Sequence, residues 1–581
     1  MLRRGLTSAL AVAAATLLLG ALAAHATAAP KRTWAGFEPP SPSYPGESVT
    51  RDVLITMDDG VVLSADVTAP ALADGSPAPG RFPVIIEQTP YSKALAPATR
   101  YANFGYVYVL VDVRGTGTSD GAFGVLDERE RRDGRELVAW AARQPWSTGK
   151  VGVTGFSYMG ASANRTVEKR PKALKAAFVG GSPTDIYREF MTEGGVWSRG
   201  AVLWNSLANF GSDPAGTFRE QAMEGMESGA LNWDLPRCRE RSVDVSRYRT
   251  PTMVYTGWED LFFSASPRQY RDMELKPGRK QLVIGPWTHY SSPKSIGPEN
   301  RYVIGDLELA WFDHWLKGER NGVTDLGPVT LFDQGVDRWR RYSDWPVPRT
   351  RYRRLYLSGR ASGSAVSLND GSLTKHPERG RGNDGGLEDP DAGACSRSLI
   401  QYSAGSIPAS NPCNLDQRPE EDTALTYTTP PLPADLHLNG PISLTLQGKS
   451  TAADPLWVAR ISDVEADGNS VPITQGSLLA SRRALDRKRS VFAPNGDPVE
   501  PFYAMTKPAA RPTKPGRPVK LRIGIQATDW VIEKGHRLRL TIQGADVGHF
   551  QPSASSGEQL GTHTVVRRRG EPSYLTLGTT K

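Results

Sequence analysis

Residues Val151 to Gly160, read as VGVTGFSYMG, hold a serine in a setting that suits a nucleophile. A β-branched run of Val151, Val153 and Thr154 ends at Gly155; Ser157 follows, and Gly160 closes the stretch. This is the pattern of a nucleophile elbow, a sharp strand-to-helix turn that lifts a serine hydroxyl out of the end of a sheet. The turn is strained, so residues without side chains must flank it, and Gly155 and Gly160 provide them. A serine hydroxyl has too high a pKa to attack a carbonyl unaided; it needs a base, and the base needs an orienting carboxylate. In α/β-hydrolases these follow in chain order serine, acid, histidine, each at a strand end. After Ser157, the run Pro251 to Thr256 leads into Gly257-Trp258-Glu259-Asp260, and Gln281 to Gly285 leads into Pro286-Trp287-Thr288-His289. Ser157, Asp260 and His289 therefore form a candidate catalytic triad.

Each residue type also has an ordinary use. An aspartate after a strand commonly caps a turn, and Glu259 beside it is a competing carboxylate. Of the eight histidines, His314, His376, His437, His536, His549 and His563 lie outside this strand-end context, and His25 sits in the N-terminal leader. His289 is the base expected. An oxyanion hole needs two donors aimed at the developing charge. The backbone N–H of Tyr158 is the first; the loop Gln88-Thr89-Pro90-Tyr91-Ser92-Lys93 should supply the second, and it contains no Gly-Gly pair. The Tyr91 phenol could serve, with Pro90 fixing its approach, although on residues alone a packing tyrosine is the better reading. The turn Asp112 to Gly121 lacks the Gly-Lys-Ser/Thr ending of a phosphate loop. It reads as a structural turn under the active-site face, with Arg114 paired to a carboxylate of the same domain.

Around these residues the chain alternates in a readable way. Val49 to Val67 alternates and turns at Asp58-Asp59-Gly60, a hairpin signal. Short apolar runs follow at Pro83 to Glu87, Tyr106 to Val113, Lys150 to Thr154, Ala173 to Val179, Pro251 to Thr256 and Gln281 to Gly285, as expected for strands buried on both faces. Glu128 to Gln144 is a helix by pattern, with Leu137, Val138, Trp140 and Ala141 on its apolar face. Strand–helix alternation after a hairpin implies an α/β domain with a mostly parallel sheet, over residues 45–345. About 70 residues between two of the strands read as helices (Thr184 to Thr192, Ser198 to Asn209, Thr217 to Ser228) and predict a helical cap over roughly 184–250. From 346 to 581 short strands alternate with Gly/Pro/Asp turns, which predicts an all-β sandwich or jelly roll.

Composition sets the outer bounds. With 581 residues, 39% hydrophobic and 23% charged, the chain is an ordinary globular protein of two or three domains. Residues 1–28 carry Arg3 and Arg4, an apolar stretch from Leu6 to Leu22 and small-residue cleavage motifs, which predict a signal peptide and an exported product; an uncleaved anchor is the alternative. The net charge of +8 is scattered among acids without a basic stripe, so nucleic acid is not an expected partner. Cys395 and Cys413 are expected to pair in an oxidising compartment, which leaves Cys238 single. No cysteine pair has zinc-ligand spacing, and no metal or cofactor is expected.

The motifs taken together resemble the cocaine esterase / X-Pro dipeptidyl-peptidase family of serine hydrolases, which includes the CocE/NonD acyl esterases. The likeness lies in TPYSK (89–93), DVRGTGTS (112–119), QPW (144–146), GFSYMG (155–160), GWED (257–260) and GPWTH (285–289). It continues in WFDHWLK (311–317), TQGSL (474–478) and KGHRLR (534–539). The resemblance implies an α/β-hydrolase domain with a helical cap, followed by a jelly roll like that of galactose-binding modules. It also implies Ser157 as nucleophile, His289 as base, Asp260 as its partner, and the Tyr91 hydroxyl with the Tyr158 N–H as oxyanion hole. The family acts on small acyl esters, on α-amino-acid esters and related β-lactam amides, or on dipeptides N-terminal to a proline bond. The leading expectation is therefore a secreted serine hydrolase, an acyl esterase before an X-Pro dipeptidyl-peptidase. Acyl transfer to an acceptor and a non-catalytic glycan- or partner-binding protein are the other readings. A peptidase needs a carboxylate for the substrate's α-amine, for which Glu189 and Glu193 are candidates. Trp197, Trp204 and Trp287 are candidate walls of an acyl pocket, against the alternative of core packing.

Overall fold

The computed structural model describes residues 39–96, 100–200, 207, 210–212, 233, 236–292, 294–298, 302–386, 389–550 and 559–580. The expected signal segment lies outside these residues. Among them no helix is long and apolar enough to cross a membrane.

A ten-stranded sheet organises the first domain. Its strands are β1 (Gly46–Thr56), β2 (Val62–Ala71), β3 (Phe82–Thr89), β4 (Val107–Asp112), β5 (Ser147–Phe156), β6 (Leu174–Gly180), β7 (Thr252–Glu259), β8 (Lys280–Thr288), β9 (Val329–Asp333) and β10 (Arg338–Tyr342). They lie in the order β1-β2-β4-β3-β5-β6-β7-β8-β9-β10. The block from β4 to β9 is parallel, and antiparallel strands flank it on both edges. The hairpin expected across Asp58-Asp59-Gly60 is the β1–β2 pair.

The apolar runs are double-faced because helices cover both sides of the sheet. Val84, Ile86, Val109, Val153 and Val179 face one layer, which holds Leu137 and Val138 of helix α1 (Glu128–Ala142) and Ala163 and Val167 of helix α2 (Tyr158–Glu168). The alternate residues Ile85, Tyr108, Phe178 and Tyr255 face the other layer. There helix α3 (Ile304–Phe312) packs, and Trp311 Nε1–H donates to the Ala177 carbonyl (3.0 Å). Asp127 caps α1, its carboxylate accepting from Glu130 N–H (2.9 Å).

Between β6 and β7 the structure describes a wide helical turn at Tyr187–Met191 and shorter turns at Glu193–Gly195, Pro236–Arg239 and Val245–Arg247. The helices expected over 198–209 and 217–228 fall mostly outside the described residues. From Arg351 onward the regular structure is mainly β, with a core of Leu444, Leu446, Ile461, Ile523, Leu540 and Leu575. Its longest pairing joins Leu436–Ser450 to Val519–Ile532. A short helix, α4 (Arg397–Tyr402), follows Cys395, which is disulfide-bonded to Cys413. Cys238 is buried. The domains are joined by backbone hydrogen bonds from Gln334 N–H to the Asp529 carbonyl (2.9 Å) and from Val531 N–H to the Gln334 carbonyl (3.0 Å).

One carboxyl in the second layer has a thermodynamic signature. Glu87 accepts from the Tyr108 hydroxyl (2.6 Å), and burial, reinforced by the charge of Glu308, pushes it up from 4.5 to about 7. The folded chain thus keeps a proton that the unfolded chain has released between those values, so this group costs stability as pH rises from about 4.5 to 7. Glu87→Gln should flatten that part of the Tm–pH profile relative to the wild type; parallel profiles would contradict the assignment.

Candidate active site

β5 ends at Phe156 and α2 begins at Tyr158, so Ser157 alone makes the turn, at φ 62° and ψ −126°. A positive φ in a residue with a side chain costs on the order of 1–3 kcal/mol, and persists only when the surroundings impose it. Ser157 N–H donates to the Gly180 carbonyl (3.1 Å), and its own carbonyl accepts from Ala161 N–H (3.0 Å). A Cβ at Gly155 would stand 2.3 Å from the Met159 carbonyl carbon, and one at Gly160 would stand 2.8 Å from the Gly180 oxygen. Only glycine fits at either position.

The ends of β7 and β8 bring Asp260 and His289 to this turn. Asp260 is fully buried; its Oδ1 accepts from Phe262 N–H (2.8 Å) and its Oδ2 lies 3.0 Å from His289 Nδ1. His289 Nε2 lies 2.9 Å from the hydroxyl of the half-buried Ser157. With Nδ1–H donated to the carboxylate, Nε2 is the lone-pair nitrogen that meets the serine. Lys294 steadies the histidine loop: its Nζ donates to the carbonyls of His289 (3.0 Å) and Ser291 (2.9 Å). Burial pulls this ammonium down to about 8.

Tyr91 sits over the serine. Its phenol lies close enough to Ser157 for the two hydroxyls to interact, and burial pushes it well above the usual phenol range, so it stays protonated and able to donate. The loop that carries it is tied to the Asp112 turn. Asp112 accepts from Lys93 N–H (2.6 Å), Lys93 Nζ (3.2 Å) and Thr118 N–H (3.0 Å). A Cβ at Gly117 (φ 53°) would fall 2.1 Å from the Asp112 carboxylate. The TPYSK and DVRGTGTS segments are therefore one interlocked support. Arg114 from that turn pairs with Asp133 (2.8 Å) and Asp59 (2.9 Å). The Tyr158 hydroxyl turns away from the serine to donate to Glu130 (2.7 Å), so this residue can offer the site only its backbone N–H.

The remaining expected residues divide. Trp197 joins the buried apolar cluster that includes Tyr158, Phe190, Phe262 and Tyr91. Trp287 does not: it packs on Trp339 (centroids 6.0 Å apart) in the α3 layer, its ring filling the space left by Gly285. The alternation of β8 puts its side chain on the α3 side of the sheet with Val283, packed as core, the alternative reading of this residue. Trp204 lies outside the described residues. Glu189 is buried and accepts from Thr184 N–H (2.8 Å), Asp185 N–H (2.8 Å) and Arg268 (3.2 Å). Glu193 is engaged by Tyr402, His549 (3.3 Å) and Gln526 (3.1 Å). The histidine is walled instead by aromatic rings, Phe156 at 4.5 Å and Phe262 at 5.4 Å, with Phe190 behind Phe262 at 4.8 Å.

Among the described residues one group has the donor chemistry of a metal site, Asp333, His437 and Asp529, with ligand atoms within 4.8 Å of one another. It lies at the domain seam, away from Ser157. Its carboxylates already accept from Arg340, His437 (2.5 Å), Asn439 (2.7 Å) and Tyr342 (3.1 Å).

The fold and this constellation define a serine hydrolase. Residues 59–291 match the X-Pro dipeptidyl-peptidase (S15 family) domain, and residues 321–576 match the X-Pro dipeptidyl-peptidase C-terminal non-catalytic domain. The chain belongs to the cocaine esterase / X-Pro dipeptidyl-peptidase family. It is 26% identical to a cocaine esterase of a Rhodococcus strain, over 91% of this chain and 98% of that protein. Its fold is similar to that of a CocE/NonD family hydrolase from Staphylococcus aureus, with a TM-score of 0.73 at 19% identity, over 92% of this chain and 93% of the other. An α-amino acid ester hydrolase shares the fold with a TM-score of 0.68 at 18% identity, over 96% of this chain and 100% of the other.

Proposed function

We propose that the protein is an exported acyl esterase that works through an acyl-enzyme on Ser157. The hydrogen-bonded chain from Asp260 through His289 to the Ser157 hydroxyl carries this reading. His289 Nε2 takes the hydroxyl proton as Ser157 attacks the substrate carbonyl, and Asp260 stabilises the imidazolium through Nδ1–H. The carbonyl oxygen becomes an oxyanion, received by the Tyr91 hydroxyl and the Tyr158 N–H. Collapse follows when Nε2–H hands its proton to the leaving group, with the acyl group left on Ser157. Water, deprotonated by the same nitrogen, then attacks the acyl-enzyme and releases the acid.

Two observations favour an ester with an apolar acyl group over a dipeptide. The rings of Phe156 and Phe262 flank the histidine, and Phe190 backs Phe262. The carboxylates weighed for an α-amine, Glu189 and Glu193, are occupied by protein donors. The leader at 1–28 and the Cys395–Cys413 bond support export, since disulfides persist in oxidising compartments.

Ser157→Ala should lower p-nitrophenyl butyrate hydrolysis by roughly 10,000-fold or more without moving Tm; retained turnover would end the triad assignment. Wild-type protein should cleave that ester far faster than Gly-Pro-p-nitroanilide, and comparable rates would place the peptidase reading first. Tyr91→Phe removes one oxyanion donor and should cost about 100- to 1,000-fold in kcat with little change in KM. A wild-type kcat in that variant would take the phenol out of the hole.

A further inference from the structure

Glu259 stands beside the acid, has no step in the mechanism above, and is held by the other domain. Its Oε2 accepts from Arg397 Nε (3.1 Å), and the same guanidinium donates from a second nitrogen to the Trp258 carbonyl (2.7 Å). One turn along α4, Gln401 Nε2 donates to the carbonyl of Asp260 itself (3.0 Å). Beyond the helix, the Ala404 carbonyl accepts from Tyr290 N–H (3.1 Å), and a Cβ at Gly405 (φ 92°) would meet Thr288 Oγ1 at 2.4 Å. The segment 397–405 thus touches Trp258, Glu259 and Asp260 on one loop, and Thr288 and Tyr290 on either side of His289 on the other.

We propose that Arg397 and Gln401, carried by the all-β domain, are positioning residues that hold the Trp258–Asp260 turn so that the Asp260 carboxylate meets His289. This rests on the triad assignment above and adds that the first domain does not complete its own active site.

The turn has bonds of its own, from Asp260 N–H to the Gly257 carbonyl (3.1 Å) and from Phe263 N–H to the Asp260 carbonyl (3.0 Å), and the other domain adds the contacts that tie it to the histidine loop. Asp260 follows the last residue of β7, beyond the ladder that joins β7 to β8. Its buried carbonyl accepts from Phe263 N–H (3.0 Å) on one lone pair and from Gln401, a side chain with 0% exposure, on the other. The helix is rigid on its own side. Ser398 Oγ is hydrogen-bonded to Asp546 (2.5 Å) and Gln475 (2.9 Å), and Cys395, two residues before α4, is tied to Cys413. Arg397 is 4% exposed in its ion pair with Glu259, so the pair holds its geometry in a low-dielectric setting where its removal is felt. Groups that orient a catalytic residue by its backbone act on rate through geometry, and a displacement near 1 Å can cost on the order of 100-fold.

The test is Gln401→Met, which keeps size and removes the donor, with Arg354→Gln as a control. Arg354 pairs with Asp497 within the all-β domain and touches neither loop. Gln401→Met should lower kcat by about 10- to 100-fold, leave KM for p-nitrophenyl butyrate within about twofold, and slow fluorophosphonate labelling of Ser157 by the same factor. The low-field proton resonance of the His289–Asp260 hydrogen bond should shift or broaden, while the control behaves as wild type. Arg397→Lys keeps a charge opposite Glu259 but gives up the bond to the Trp258 carbonyl. It should show a smaller loss of the same kind, and it decides the matter if Gln401→Met does not fold. Wild-type kcat with an unshifted resonance would overturn the proposal, as would a loss of rate equalled by the control. The resonance reads the contact without turnover. A shifted resonance with undiminished kcat would therefore fault the triad assignment and not the positioning contact.

Discussion

A serine held at φ 62° is the constraint on which the rest of this molecule depends. No local preference favours that conformation, so tertiary structure must force it. The force comes from the sheet: the β5–β6 register places the Gly180 carbonyl where Ser157 N–H must donate, and the backbones around Gly155 and Gly160 close too tightly for any side chain. The same strain lifts the hydroxyl off the strand end towards His289. Relaxing it would bury the hydroxyl and lose the line to the imidazole.

Around that point buried polar groups are satisfied in interlocking sets. Asp112 ties the Tyr91 loop to the Gly117 turn, and Glu130 takes the Tyr158 hydroxyl (2.7 Å) together with that of Ser162 (2.6 Å). Buried donors and acceptors left unmade cost more than paired ones contribute, so each set locks the loops it joins. This is how a phenol on a loop can be held as firmly as a group on a strand. Apolar rings fill what remains, so the site is polar along one line, from Asp260 to Tyr91, and aromatic beside it.

The all-β domain belongs to this scheme as a structural partner of the site. Its α4 segment reaches both loops that carry the base and the acid, while Arg188 of the insert donates back to the carbonyl of Ala504 (2.9 Å) in that domain. The seam thus combines polar contacts to carbonyls with apolar packing, Ala404 and Met505 lying in the cluster that holds Tyr158 and Phe262, and Val196 packing with Leu456, Val458 and Phe550.

The sequence by itself determined the strands, because burial on both faces of a parallel sheet writes unbroken apolar runs into the chain. It also determined the order Ser157, Asp260, His289, because each must stand at a strand end and strand ends are visible as runs that stop. The role proposed for Tyr91 was legible only through family likeness: a phenol that donates and a phenol that packs have the same local sequence. Trp287 shows the limit of residue type, since a tryptophan two residues before the histidine packs on Trp339 in the α3 layer. Glu189 and Glu193 could be read as free carboxylates until their donors closed on them. These are Thr184 and Asp185 nearby with Arg268 for the first, and Tyr402, Gln526 and His549 from the other domain for the second. Arg397 and Gln401 left no signal at all, lying more than 130 residues beyond the turn they hold. Local patterns record what a residue's own element needs; contacts between domains are set by how two finished surfaces meet, and only the tertiary structure decides that.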